Sequence, residues 1–247
     1  MTGFFAYRRD EPPGSGFALY GKDHLFILAA LLVGVVLMTM FYDRADKKGR
    51  LKMLRVTAWI ILLSEIVRQV SFIVILGYYP LQELPLHLCG ISIFINVAHA
   101  TKPNKFTGEI LYALGLPGTL AALAFCDWTN YPLMTYQCIQ SFVAHALHAV
   151  FVIMQLKGGD IRPSLKKIWR PIIFLLVIVP PIYWFNTVFG TNFFFINAGS
   201  PGSPLEILIE LMGDKLFLIG YAGLLVVVWV VMYLPWVFIF KERKIFR

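Results

Sequence analysis

Three apolar stretches of this sequence carry groups able to do nucleophilic, acid–base or ionic chemistry. LPLHLCGISIFINVAHA, residues 84–100, holds His87, Cys89, Ser92, Asn96 and His99. The spacing of Cys89, Ser92, Asn96 and His99, three, four and three apart, stacks them on one face of a helix. SEIVRQVSF, residues 64–72, sets Glu65, Arg68, Gln69 and Phe72 on one face, with Glu65 and Arg68 placed to pair. YQCIQSFVAHALHAV, residues 136–150, carries Cys138, Ser141, His145 and His148 on one face, with Gln137 and Gln140 beside them. Such groups do not face hydrocarbon without cost, so they turn toward a bundle interior or a wet cavity. Pro85 marks a helix start just before Cys89 and His87 lies beside it, and both features favour the reactive thiolate.

Each group also has a plain reading. A membrane-helix histidine often only bonds a carbonyl or a neighbouring helix, and His99 and Asn96 fit that role. Glu65 and Arg68 read equally well as a clamp between helices. A lone cysteine in an apolar helix is usually a small inert hydrophobe. His24, at the edge of the first apolar run, reads as interfacial. The convergence of three polar stripes at similar depth raises the functional reading above these.

The elements that must position these residues are membrane helices. The chain is 58% hydrophobic and only 15% charged, with a mean hydropathy of +0.71, far from a soluble average. Seven apolar runs approach spanning length. They cover about 24–42, 54–79, 84–100, 109–125, 135–156, 168–188 and 214–240. Gly115, Pro117 and Gly118 break the fourth. The expected fold is therefore all-α: a polytopic membrane bundle of about seven transmembrane helices over residues 24–240. Residues 1–23 form an extracytoplasmic N-terminal segment and 241–247 a basic cytoplasmic tail. Residues 1–22 lack an apolar core, so no cleavable signal peptide is expected and the first span directs insertion. Residues 189–213, rich in Phe, Asn, Gly, Pro and Ser, form a cap over the outer end.

The net charge of +8 is informative mainly through its placement. Arg44, Lys47, Lys48, Arg50 and Lys52 follow the first span, Lys102 and Lys105 the third, and Lys157, Arg162, Lys166, Lys167 and Arg170 the fifth. Lys241, Arg243, Lys244 and Arg247 end the chain. Pro80–Glu83, Cys126–Met134 and Phe189–Gly213 contain no Lys or Arg. The bias predicts the N-terminus outside and the C-terminus in the cytoplasm. Charge spread over four membrane-flanking loops, with no single basic patch, excludes nucleic acid as a partner. Three cysteines without a CxxC make neither a disulfide framework nor a metal site, and no cofactor is expected. Cys126 and Cys138 both lie toward the outside, where a disulfide is chemically open and free thiols are the expected state.

LPLHLC at Leu84–Cys89, YPLMTYQCIQSFVAHAL at Tyr131–Leu147 and TNFFFINAGSPGSPLEIL at Thr191–Leu208 together resemble the YwaF-type integral membrane family of bacteria. That family is similar to a eukaryotic transmembrane acyltransferase of ether phospholipids and, more distantly, to the androgen-induced fatty-acid-ester hydrolases. The resemblance covers the chain from the second span onward and implies acyl chemistry in the bacterial cytoplasmic membrane, with membrane lipids, a phospholipid or lysophospholipid, as partners. By that resemblance Cys89 is the nucleophile and His145 its base, with His148 and His87 as alternates. The hydrolases use threonine, so the cysteine sides with the acyltransferase branch. Glu65, Arg68 and Gln69 are expected to orient the histidine or meet a headgroup. Ser92, Asn96, Gln140, Ser141 and Asn186 are expected to line the cavity or hold an oxyanion. Cys89 lies about 8 Å and His145 about 15 Å along their helices, an offset that tilt can bridge. The alternative is a non-enzymatic transporter or receptor with a polar Glu/Arg/His core.

Overall fold

The computed structural model describes residues 3–7, 14–77, 79–200 and 202–245, with side chains in the last stretch up to residue 237. The basic tail from Lys241 onward therefore lies outside the described side chains. Among the described residues, seven longer helices make up the fold. Helix α1 is Lys22–Arg44, α2 Lys47–Leu76 and α3 Leu88–Thr101. Helix α4 is Lys105–Ala124, α5 Tyr136–Gly158, α6 Trp169–Phe189 and α7 Pro204–Ile245. The described residues contain no strand.

Local chemistry sets the ends. Asp46 caps α2 by accepting from Gly49 N at 2.8 Å, which draws most of the basic 43–52 link into the helix and starts α2 two turns before the expected Leu54. Gly77 stops it in the left-handed conformation at φ 69°. Asn104 caps α4, Thr135 caps α5, and Gly159 at φ 75° ends α5. Proline at 117 has no N–H to give to the carbonyl four residues back. That carbonyl, Ala113 O, instead accepts from Trp229 Nε1 at 2.9 Å, and the helix relaxes through a π turn at Leu111–Gly115. Helix α7 breaks at Gly213 (φ 67°, ψ 170°), so the run expected from Asp214 is preceded by a separate helical turn within residues 204–212.

Six of the seven helices are long and apolar enough to cross a membrane. The exception corrects the sequence expectation. Helix α3 has 14 residues, about 21 Å of rise against a hydrocarbon core of about 30 Å. Residues 84–87 are not helical, because the chain doubles back over the first turn of α3. A Cβ at Gly90 would lie 2.5 Å from Pro85 O, so only glycine allows that close approach. The 81–87 connection dips into the bundle as far as Arg68, eight residues before the end of α2, or about 12 Å below it. Helix α3 then completes the traverse, and Arg55 Nε donates to Ala100 O at 3.4 Å at its far end.

Helix α5 is the hub, with α1, α2, α3 and α4 all packed on it. Helix α7 docks through an aromatic seam on α4. Tyr233 Oη donates to Glu109 Oε1 at 2.8 Å, Tyr112 Oη to Met232 O at 2.6 Å and Trp236 Nε1 to Tyr112 Oη at 2.8 Å. The basic end of the bundle is tied by Arg50, which donates to Gly158 O at 3.0 Å, and by Arg170, which donates to Lys105 O at 2.7 Å. At the opposite end the N-terminal segment forms a plug: Tyr7 and Phe17 are buried, and Phe17 N donates to Thr129 O at 3.0 Å. His24 belongs to this plug and is not interfacial. It is fully buried, accepting from Tyr20 N at 3.0 Å while its Nε2 donates to Leu123 O at 3.0 Å.

Candidate functional site

The polar residues of α2, α3 and α5 meet in the half of the bundle below that plug. Arg68 is their anchor. Its guanidinium forks onto Glu65, with Nε to Oε2 at 2.9 Å and Nη2 to Oε1 at 2.8 Å, while Nη1 reaches Glu83 Oε2 at 2.9 Å. Gln69 Nε2 donates to Glu83 O at 2.9 Å and also to Glu65, and Tyr79 Oη closes on Gln69. Gln140 Nε2 reaches Glu65 from α5 at 3.3 Å, and Tyr7 Oη reaches Glu83 from the N-terminal segment at 3.2 Å. Four parts of the chain are thus stitched to one arginine. The planar fork of arginine suits two carboxylates at once, which lysine could not match. Arg68 is committed to these carboxylates, so the geometry favours the clamp reading of Glu65, Arg68 and Gln69. Glu83 went unnoticed in the sequence; the signal was an acid in a turn that holds no Lys or Arg.

Beside the clamp lie the titratable groups. His145, on α5, has Nδ1 2.7 Å from Ser141 O. A carbonyl only accepts, so Nδ1 carries the proton and Nε2 keeps its lone pair, the tautomer a general base needs. The ring stacks on Trp128 at 5.0 Å between centroids and 18° between planes. Trp128 is buried, and its Nε1–H has no hydrogen-bond partner among the described residues. His87 is the residue just before α3, with an extended backbone. It packs against Phe193 and Phe195, with ring centroids 5.1 and 4.9 Å away. The field at His87 includes His145, Glu83, Arg68 and Asp127, and that at His145 includes Arg68, Glu65 and Asp127. Cys89, the second residue of α3 and partly accessible, shares that field with Glu65, Arg68 and Asp127. Asp127 and Trp128 also escaped notice in the sequence. They follow Cys126 in a turn-rich connection, where no periodicity announces a role.

The remaining residues of the stripes hold the bundle together. His148 Nδ1 lies 2.6 Å from Asn96 Nδ2 across α3 and α5. His99 bridges three helices, with Nε2 donating to Gln155 Oε1 at 2.8 Å and Nδ1 meeting Thr107 Oγ1 at 2.6 Å. Ser92 is buried against Gly115. Ser141 contributes its carbonyl to His145. Asn186 lies on α6, with Nδ2 donating to Phe193 O at 2.9 Å and to Asn197 Oδ1 at 2.8 Å. Its Oδ1 accepts from Phe193 N and Thr191 Oγ1, both at 2.9 Å. Its polar atoms are occupied within its own loop and are not presented to a ligand. The three cysteines are free thiols. Burial pushes the Cys126 thiol up to about 11, which keeps it protonated at neutral pH.

The TMEM164 family model matches residues 19–233, nearly the whole of the chain. No curated protein matches the chain, and no solved structure does.

Proposed function

Because the chain belongs to the TMEM164 family and is a multi-pass membrane protein, we propose that it is an intramembrane acyl-chemistry enzyme acting through a thioester on Cys89. The observation that carries this reading is His145. A half-buried imidazole with its Nδ1–H fixed on Ser141 O and its face fixed on Trp128 is a base held in one tautomer and one orientation. The charges that act on it, Arg68, Glu65 and Asp127, also act on Cys89. The kinship with YwaF-type proteins and with the ether-phospholipid acyltransferase, drawn from PLHLC and the 191–208 segment, belongs to the same proposal.

In this mechanism the Cys89 sulfur attacks the carbonyl carbon of a lipid ester as His145 Nε2 takes the thiol proton. The tetrahedral oxyanion needs a donor, and the unspent Trp128 Nε1–H beside the base is one such group. Collapse breaks the ester C–O bond, and the imidazolium returns its proton to the departing lysolipid oxygen. A lysophospholipid hydroxyl, or water, then attacks the thioester while His145 accepts its proton. The thiol re-forms with that proton. His87 is the alternate base, since its non-helical backbone frees it from the helix geometry that would turn it away from Cys89.

The test is capture of the intermediate. Purified protein in liposomes, given phosphatidylcholine with an alkyne-tagged acyl chain, should acquire a hydroxylamine-sensitive label on Cys89. Cys89→Ala should lose the label and the transfer, and His145→Ala should lose both while remaining folded. Transfer that survives Cys89→Ala would move the nucleophile elsewhere.

A further inference from the structure

The loop between α6 and α7 has a backbone that its sequence does not favour. Phe194 sits at φ 60°, ψ 3°, and Phe195 follows at φ 54°. Two consecutive bulky L-residues in the left-handed region persist only where their surroundings hold them there. Two asparagines do the holding. Asn186 grips Phe193 through both its N–H and its C=O, each at 2.9 Å. Asn192 Oδ1 accepts from Asn197 N and Ala198 N at 3.1 Å, and its Nδ2 donates to Ala198 O at 2.9 Å. The strained turn serves to drive two aromatic rings inward onto His87, two residues before Cys89. Phe193 is fully buried and backs the turn, whereas Phe195 is only partly covered. Phe193 packs in an apolar cluster with Ile182 of α6, whose partly buried members include Leu88 and Ile91 of α3, Ile178 of α6 and Tyr221 of α7. Backbone strain of this kind gathers at sites that must present a side chain in one place.

We infer that the Phe193–Phe195 turn is the wall against which the fatty-acyl chain of the substrate lies, with Phe195 gauging chain length and Phe193 buttressing it. The inference rests on the Cys89 acyl reading and adds to it the substrate's selective feature, the apolar chain rather than the headgroup. Arg68 is already occupied by Glu65 and Glu83, and the rings packed on His87 are those of Phe193 and Phe195, the first of them part of an apolar cluster. An apolar pocket that ends in a fixed ring discriminates between chains by about tenfold per methylene.

The test has two independent arms, both on the full-length protein in liposomes. In the first, Cys89→Ala protein, which cannot turn over, is irradiated with phosphatidylcholine bearing a mid-chain diazirine, and the adducts are mapped by mass spectrometry. Adducts on residues 193–196 and 88–91 are expected, and excess unlabelled phosphatidylcholine should compete them away. Adducts confined to the lipid-facing sides of α1 and α6 would overturn the inference. In the second arm, Phe195→Ala and Phe195→Leu are compared with wild type on a mixture of acyl donors of graded length. The preferred chain should lengthen by about two carbons in the alanine variant, with the leucine variant in between. An unchanged preference in a folded variant would overturn the inference. If wild type transfers no acyl chain at all, the Cys89 reading fails, and the adduct map alone decides whether this wall holds a chain.

Discussion

Arg68→Ala should be the most damaging single change in the polar core. The guanidinium bridges two carboxylates, Glu65 at 2.8 Å and Glu83 at 2.9 Å. The side chains are 18%, 9% and 12% exposed for Arg68, Glu65 and Glu83, which keeps solvent from screening the loss. Breaking a buried pair by removing one partner costs about 3–5 kcal/mol, because an uncompensated charge is left behind. For a chain of this size that is about 10 °C in Tm. The double variant Arg68→Ala, Glu65→Gln removes the charge stranded at Glu65 as well and should recover at least half of that loss. Scanning fluorimetry in detergent, repeated in nanodiscs, gives the midpoints. Equal midpoints for the single and double variants would show that the energy lies in packing and that the ion pair does not store it.

Other consequences follow from particular contacts. Trp128→Ala removes the face that orients His145 and should lower acyl transfer by about 10–100-fold, and, because the indole is buried in a core cluster, should also lower Tm by about 10 °C; Trp128→Phe keeps a stacking face and should lose less of both. Gly213→Ala places a side chain at φ 67°, ψ 170°, a region kept almost wholly for glycine. With open space around the new Cβ, the penalty is conformational only, about 1–3 kcal/mol, read as a lowered midpoint. Single cysteines at Lys47 and Lys166 should react with an impermeant maleimide from the cytoplasmic side, and those at Asp127 and Gly202 from the other. Labelling of both sets from one side would refute the orientation drawn from the charge bias.

The sequence by itself determined the elements and their polar faces. Hydrophobic runs and helical periodicity depend only on neighbours along the chain, so six long apolar helices and the stripes of α2, α3 and α5 were legible, as was the pairing of Glu65 with Arg68. The shortness of the third run was not, because α3 is shortened by a contact rather than by composition: Pro85 rides over Gly90. Residues 84–87 look apolar enough for a helix until the backbone is seen folding back. What only the tertiary structure decided was which polar groups remain available for chemistry. Asn186 and His148 look alike as site candidates in sequence, yet each is engaged by a partner distant in the chain or within a folded loop. His145 differs because one carbonyl and one indole fix it while Nε2 keeps its lone pair. Glu83, Trp128 and the Phe193–Phe195 turn lie in connections, where position is set by packing against helices far away in sequence. Periodicity carries no information about such contacts, and the site takes its walls from them.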